Sequence, residues 1–435
     1  MHEVPDPEEL IDTPPSVGPA TDVEDRHDPY AAWRFREYRF FILGNMAINV
    51  GNNMQSVAVG WELYERTGAA MALGWVGLVQ ALPIMLLSLP AGQLADRMDR
   101  RRIVMLGQFV MAICSLGLAV VSYRRGPVEW MYVMLLLGAM GRAFLWPAGQ
   151  ALLPTLVPPD VFSSAVTWRS TGFQIASVAG PALGGLMIGL QKNATWVYVV
   201  DAMMALVNFY CISRIAARPV IRRGEAASLK TLLAGFRYVL DKKLILAALT
   251  LDLFAVLLGG ATALLPIYAK DILRVGPTGL GWLRAAPAVG AFCMAVALSH
   301  LPPLRRAGRA LLLAVAAFGA LTIVFGLSTW FWLSLVMLAG CGAADNISVV
   351  IRHSLVQLGT PDEMRGRVSA VNSVFISASN ELGGFESGVV ARFFGPVVSV
   401  VSGGIGTVLV VVLSAWTWPE IRKLGKVHQR PEAKA

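Results

Sequence analysis

Charge is scarce in this chain of 435 residues: Asp, Glu, Lys and Arg make up 15% of it, against 55% hydrophobic residues. A soluble domain carries about a quarter charged residues, so an ordinary soluble enzyme is excluded at the outset. Cysteine is scarce as well. Cys114, Cys211, Cys293 and Cys341 lie far apart inside apolar stretches, without paired or metal-ligand spacing, so neither a disulfide framework nor a metal site is expected. The five histidines are scattered, and the patterns H-E-x-x-H, G-x-S-x-G and G-x-x-x-x-G-K-[ST] are missing. These absences remove zinc hydrolases, serine hydrolases and nucleotide-driven motors, and leave no cofactor to expect. No basic stripe interleaved with aromatics points to nucleic acid.

Long apolar runs are what the chain does have. A window of about 19 residues finds twelve candidate membrane helices at 39–61, 71–93, 103–123, 130–152, 165–190, 196–213, 244–267, 280–300, 310–327, 330–351, 369–391 and 396–416. The expected fold class is an all-α integral membrane protein, with twelve transmembrane helices in two pseudo-symmetric six-helix bundles. A weak internal repeat supports the halving. Thr67, Gly68, Leu73, Gly74 and Trp75 return as Thr278, Gly279, Leu280, Gly281 and Trp282, and Pro159, Asp160, Phe173 and Ser177 return as Pro361, Asp362, Phe375 and Ser379. Six-span repeats mark secondary transporters, whose substrate site lies between the halves near the bilayer midplane.

Net charge is +9, yet the first 28 residues hold nine carboxylates against Arg26 alone. The remaining positive excess falls mostly in loops on one side of the expected spans, which places both termini in the cytoplasm. Five segments follow: an acidic disordered tail at 1–33, an N-terminal bundle at 34–215, a linker at 216–243, a C-terminal bundle at 244–418 and a basic tail at 419–435. Within the linker, Leu229, Leu232, Leu233, Phe236, Val239 and Leu240 recur at helical spacing and predict an amphipathic helix along the membrane surface. The expected partners are the bilayer, a small-molecule substrate and protons, with the protein a monomer.

Ionisable groups at bilayer depth cost several kcal/mol and are functional candidates by default. Glu381, Glu386, Asp252, Asp345 and Arg142 are the candidates for proton coupling. The repeat sets Arg142 one place from Asp345, so a cross-cavity ion pair is one reading and pairing within each half the other. On a regular helix Glu381 and Glu386 point to opposite sides unless Gly383 and Gly384 break it. Asp201 is read as nearer the outer surface, as much a structural cap as a functional group. Asn45, Asn49, Asn52 and Asn53 form one polar face of the first span and, with Arg169, Gln174, Asn372 and Asn380, are the candidates for lining a substrate cavity. Trp146 and Phe173 are among the aromatics that could meet a bulky ligand.

Five further stretches carry a resemblance. Gly92-Gln-Leu-Ala-Asp96-Arg97-Met-Asp99-Arg100-Arg101-Arg102, between the second and third spans, resembles the signature loop of the major facilitator superfamily, departing from it at Asp99, where glycine is common. Gly180-Pro181-Ala-Leu-Gly184-Gly185 resembles the antiporter signature of exporters in that superfamily. PTLVPPDVFSSAV, LLPIYAKDIL and TPDEMRGRVSAVNSVFISASNELGGFESG resemble the branch that includes the bacterial enterobactin exporter. The resemblance implies a twelve-span inner-membrane carrier that expels siderophores or other amphipathic molecules in exchange for protons. It also implies that Gly92, Asp96, Arg97 and Arg101 act as a cytoplasmic latch, opposed by Arg365 and Arg367, and that Gly180, Pro181 and Gly184 form a kink. A lysophospholipid flippase and a non-transporting receptor or assembly factor on the same scaffold stay open.

Overall fold

The computed structural model describes residues 28–216, 229–302 and 306–425. The acidic stretch up to residue 27, the linker segment 217–228, the last ten residues and the side chains of Asp96 and Arg365 lie outside that description. The first half runs through α1 (Arg36–Thr67), α2 (Ala70–Arg97), α3 (Arg100–Tyr123), α4 (Val128–Leu152), α5 (Phe162–Gln191) and α6 (Thr195–Ser213). The short α7 (Leu229–Asp241) leads to the second half. There α8 (Lys243–Leu258) continues through a 3-10 turn, the single turn α9 (Leu265–Ile267) and a π turn to Ile272. The chain then passes through α10 (Gly276–His300), α11 (Ala307–Leu327), α12 (Phe331–Gly359), α13 (Asp362–Phe394), α14 (Pro396–Thr417) and the short α15 (Pro419–Lys423).

Every one of the twelve expected spans falls on a helix. Ten helical runs among the described residues are long and apolar enough to cross a membrane. The other two, α1 and α13, are the most polar of the long helices. That is because they carry the asparagine face and the two intramembrane glutamates. Short connections make successive helices alternate in direction, so the start of α1, the end of α14 and α7 share one face of the bundle, called here the terminal face; the opposite one is the far face. Local signals set the ends. Gly68 stops α1 in the left-handed conformation at φ 61°, and the Asp99 side chain accepts a hydrogen bond from the Arg101 amide at 3.0 Å to cap α3.

Within the first half α1 packs on α5 and α6, and α3 on α4 and α6; in the second, α8 packs on α13 and α14, and α11 on α12 and α14. The halves meet through α2 with α13 and α5 with α10. The internal repeat relates α2 to α10 and α5 to α13, so these are one contact made twice with the roles exchanged. Helices in lipid gain little from apolar burial alone, and their contacts use small residues that let backbones approach. Near the far face a Cβ on Gly185 would lie 2.8 Å from the Gly281 Cα, and one on Gly388 only 2.5 Å from the Gly74 Cα. The two halves therefore touch backbone to backbone at that end. Tyr64 at the end of α1 also donates a hydrogen bond to Asp271 in the π turn, with Lys270 over the Tyr64 ring at 5.4 Å.

Several expectations shift at the edges of elements. Residues 28–33, read as part of a disordered tail, dock on α5: the Pro29 carbonyl accepts from Ser164 Oγ and Trp168 Nε1, both at 2.8 Å, and the Trp33 ring meets Trp168 edge-on. Aromatic residues in that short stretch supply the contact area that an acidic tail lacks. The basic tail likewise begins in contact, with Ile421 against Gly308 of α11. Gly92 to Arg97 form the last turns of α2 and not a loop, because only Met98 and Asp99 separate α2 from α3.

Candidate functional site

Three connected compartments run through the middle of the bundle. The largest, about 670 Å³, is lined by Asn45, Asn49, Asn52, Gln108, Arg142, Trp146, Gln150, Arg169 and Phe173 of the first half and by His353 of the second. Its walls come mainly from the terminal-face portions of α1, α3, α4 and α5, and they include no carboxylate. Arg142 and Asn52 also border a middle compartment of about 240 Å³, which adds Gln55, Ser56, Gln80, Arg284, Asn380 and Glu381. Asn380 and Thr262 in turn border a third, of about 200 Å³, inside the second half with Asp252 and Asp345.

The middle compartment joins the halves. Arg284 of α10 donates from Nη2 to Ser56 Oγ of α1 at 2.6 Å, and Arg142 of α4 donates from Nη1 to Gln80 Oε1 of α2 at 3.2 Å. Glu381 of α13 feels both guanidinium charges. One carboxylate of the second half thus sits in the field of an arginine from each half, directly beneath the glycine contacts of the far face. Arg284 was legible as a charge in an apolar run; its role at the junction was not, because its partners lie on α1 and α13.

Arg142 and Asp345 do not meet. Arg142 pairs with Gln80, while Asp345 lines the third compartment on the far side of Asn380. The arginine for the second-half acids is Arg352, which forms a buried ion pair with Asp252 and donates from Nε to Ser348 Oγ at 3.2 Å. The repeat sets Arg142 against Ala344, and the one place to Asp345 is about 100° of helix, so the two charges face different compartments.

Of the asparagine face, Asn45, Asn49 and Asn52 line the large cavity, tied together where Asn49 Nδ2 donates to Asn45 Oδ1 at 2.9 Å. Asn53 faces α5 instead, its Cβ lying 2.5 Å from where a Cβ on Gly180 would stand. A stripe at i, i+4, i+7 and i+8 spans about 100°, enough for its edge to turn onto a neighbouring helix. Asn380 borders two compartments, whereas Gln174 and Asn372 line none of the three. Glu386 lies outside them as well, on a helix that runs unbroken through Gly383 and Gly384, with Ser387 Oγ 3.4 Å away.

Asp201 lies in the far-face half of α6 and caps no helix. It is fully buried between α1, α3 and α6, where Gln55 Nε2 and Ser115 Oγ donate to its Oδ2 at 2.9 and 2.6 Å. In the α2–α3 segment, Arg101 donates from Nη2 to the Ser213 carbonyl at 2.6 Å, inside its own half. The capping carboxylate there is Asp99, the residue that departs from the superfamily pattern. Gly180 and Gly184 pack on α1, at Asn53 and Met54, and Gly185 on α10, while α5 stays helical through Pro181.

Two pseudo-symmetric helical halves around a central polar cavity, with charged groups of both halves lining one compartment at mid-depth, define a membrane transporter of the major facilitator type. Solved transporters share the architecture. A POT-type peptide transporter superposes with a TM-score of 0.72 at 11% identity over 90% of this chain and 96% of its own. A bacterial homolog of the human lysosomal transporter Spinster, inward-facing and occupied, gives 0.69 at 16% identity over 91% and 99%. Among characterised relatives, the enterobactin exporter EntS of Escherichia coli O1:K1 / APEC is 26% identical over 336 residues, 76% of this chain and 80% of that one. EntS of Shigella boydii serotype 18 is 26% identical over 335 residues. The profile of the transmembrane secretion effector family matches residues 27–433, and the chain belongs to that family of major facilitator transporters.

Proposed function

We propose that this multi-pass protein is a proton-coupled antiporter of a bacterial cytoplasmic membrane, exporting siderophore-like or other amphipathic small molecules by alternating access. The terminal face, with both chain termini, is cytoplasmic in this reading. The observation that carries it is the pairing of a glycine seam closing the far face with a large cavity on the terminal side, so that cargo enters from the cytoplasm. Aromatic Trp146 and Phe173 beside amides and arginines suit an amphipathic cargo with polar or anionic groups.

Glu381 is the proton carrier in this reading. Ionised, it draws Arg142 of the opposite half toward α13; protonated, it no longer does, so proton occupancy and the fit between halves are linked. The test uses everted vesicles with an imposed proton gradient and acridine fluorescence, adding pooled siderophores, amphipathic drugs and lysolipids in turn. Dequenching by a siderophore or drug pool that disappears in Glu381→Gln is expected. Dequenching that survives in Glu381→Gln would remove Glu381 from the role, and cargo movement without dequenching would rule out proton exchange.

A further inference from the structure

The third compartment differs in kind from the other two. Its walls are apolar and aromatic, with Val256, Phe318, Phe325 and Leu338 among them, and its charge comes from Asp252 and Asp345. Asp252 is 6% exposed and is neutralised by Arg352, whose Nε is committed to Ser348. Asp345 lines the cavity and makes no hydrogen bond or ion pair among the described residues. Two carboxylates thus share the one guanidinium of Arg352, and the one without a direct ion pair, Asp345, faces the void.

We propose that this pocket, lined by the second half, is a binding site for a small organic cation, an ammonium group held by Asp345 with a short apolar body between Phe318 and Phe325. Three features set the class. An unpaired carboxylate exposed on an otherwise apolar and aromatic pocket wall favours a positive ligand. Aromatic walls hold alkylammonium groups through their ring faces. A volume of about 200 Å³ lies under the roughly 300 Å³ at which pockets for drug-sized ligands begin, which limits the body to about one ring. The arginine-lined, carboxylate-free large cavity repels the same ligand, so the two sites sort by charge.

The charged and titratable groups around Asp345 are few. Asp252 comes from α8, and Cys341 and Arg352 from its own helix α12; α11 contributes Val315, Phe318 and Thr322, α10 contributes Pro287, and α13 presents Asn380, with Glu381 turned into the middle compartment. A proton and an organic cation contend for Asp345 itself. The inference stands on this pocket and not on the transport reading, and its test involves no transport.

Purified full-length protein in detergent is titrated calorimetrically with benzyltrimethylammonium, benzyl alcohol and benzoate. Saturable binding of the ammonium is expected, at least tenfold tighter than either control. Asp345→Asn weakens it at least tenfold, Phe318→Trp does the same by filling the pocket without touching charge, and Arg169→Gln in the large cavity leaves it unchanged. Absence of ammonium binding to the unaltered protein, equal binding of benzoate, or loss with Arg169→Gln in place of Phe318→Trp would each overturn the proposal. Should Asp345→Asn fail to give a monodisperse protein, Phe318→Trp decides alone.

Discussion

Gly388→Ala tests the far-face seam directly. A Cβ at residue 388 would lie 2.5 Å from the Gly74 Cα and 2.8 Å from its nitrogen, and both are backbone atoms that cannot swing aside. Carbon atoms settle at about 3.5–4.0 Å, so α2 and α13 must part by about 1 Å where they cross. Overpacking of this kind costs about 1–3 kcal/mol. The cost falls only on states in which the seam is closed, so the balance shifts toward far-face-open states by roughly 5- to 150-fold. Spin labels at Gln191→Cys and Phe394→Cys, at the far ends of α5 and α13 in a background without the native cysteines, report the separation by double electron–electron resonance. A longer-distance population should grow in Gly388→Ala and stay unchanged in Gly366→Ala, where an added Cβ meets nothing within 4 Å. Unchanged distances in the first variant, or equal changes in both, would refute the argument that this contact holds the face shut.

Two further outcomes follow from single interactions. Asp99→Ala removes the cap of α3 and should lower stability by about 1 kcal/mol in thermal unfolding of the detergent-solubilised protein, with Asp99→Asn keeping most of it. The nearby Arg102, 3.8 Å from Asp99 and largely exposed, adds little to that figure. Arg352→Gln strands the buried Asp252 carboxylate and should destabilise by about 3–5 kcal/mol. Arg352→Gln combined with Asp252→Asn should recover most of that loss, and a double variant no more stable than the single one would deny the pair its role.

Much of this arrangement was legible in the chain itself. Transfer of apolar segments into hydrocarbon depends on composition over about twenty residues, which is why all twelve helices could be placed before any contact was known. The repeat linking Gly74 to Gly281 announced the two halves and marked the small residues that now form both seams. The superfamily pattern around Gly92 and the glycines near Pro181 pointed to the fold for the same local reason. Asp99 shows the limit: as a departure from the pattern it was an irregularity, and only the two-residue turn after α2 made it a cap.

Partnership was another matter. Helical periodicity tells which residues share a face and not which helix that face meets. Arg142 and Asp345 were one place apart by the repeat yet are divided between compartments, and Asn53 packs against α5 although it shares a stripe with Asn49. Asp201 looked peripheral from its place in a span and is wholly buried, because depth within a helix does not reveal lateral neighbours. Hydropathy, charge bias and glycine spacing are properties of the chain taken a turn or a span at a time, and they determined the membrane setting, the spans and the halving. The gathering of Glu381 and two arginines from opposite halves around one compartment, the arginine that neutralises Asp252 and the unpaired carboxylate of Asp345 depend on contacts between helices up to hundreds of residues apart. Only the tertiary packing decides those, since a buried charge is set by what surrounds it in space.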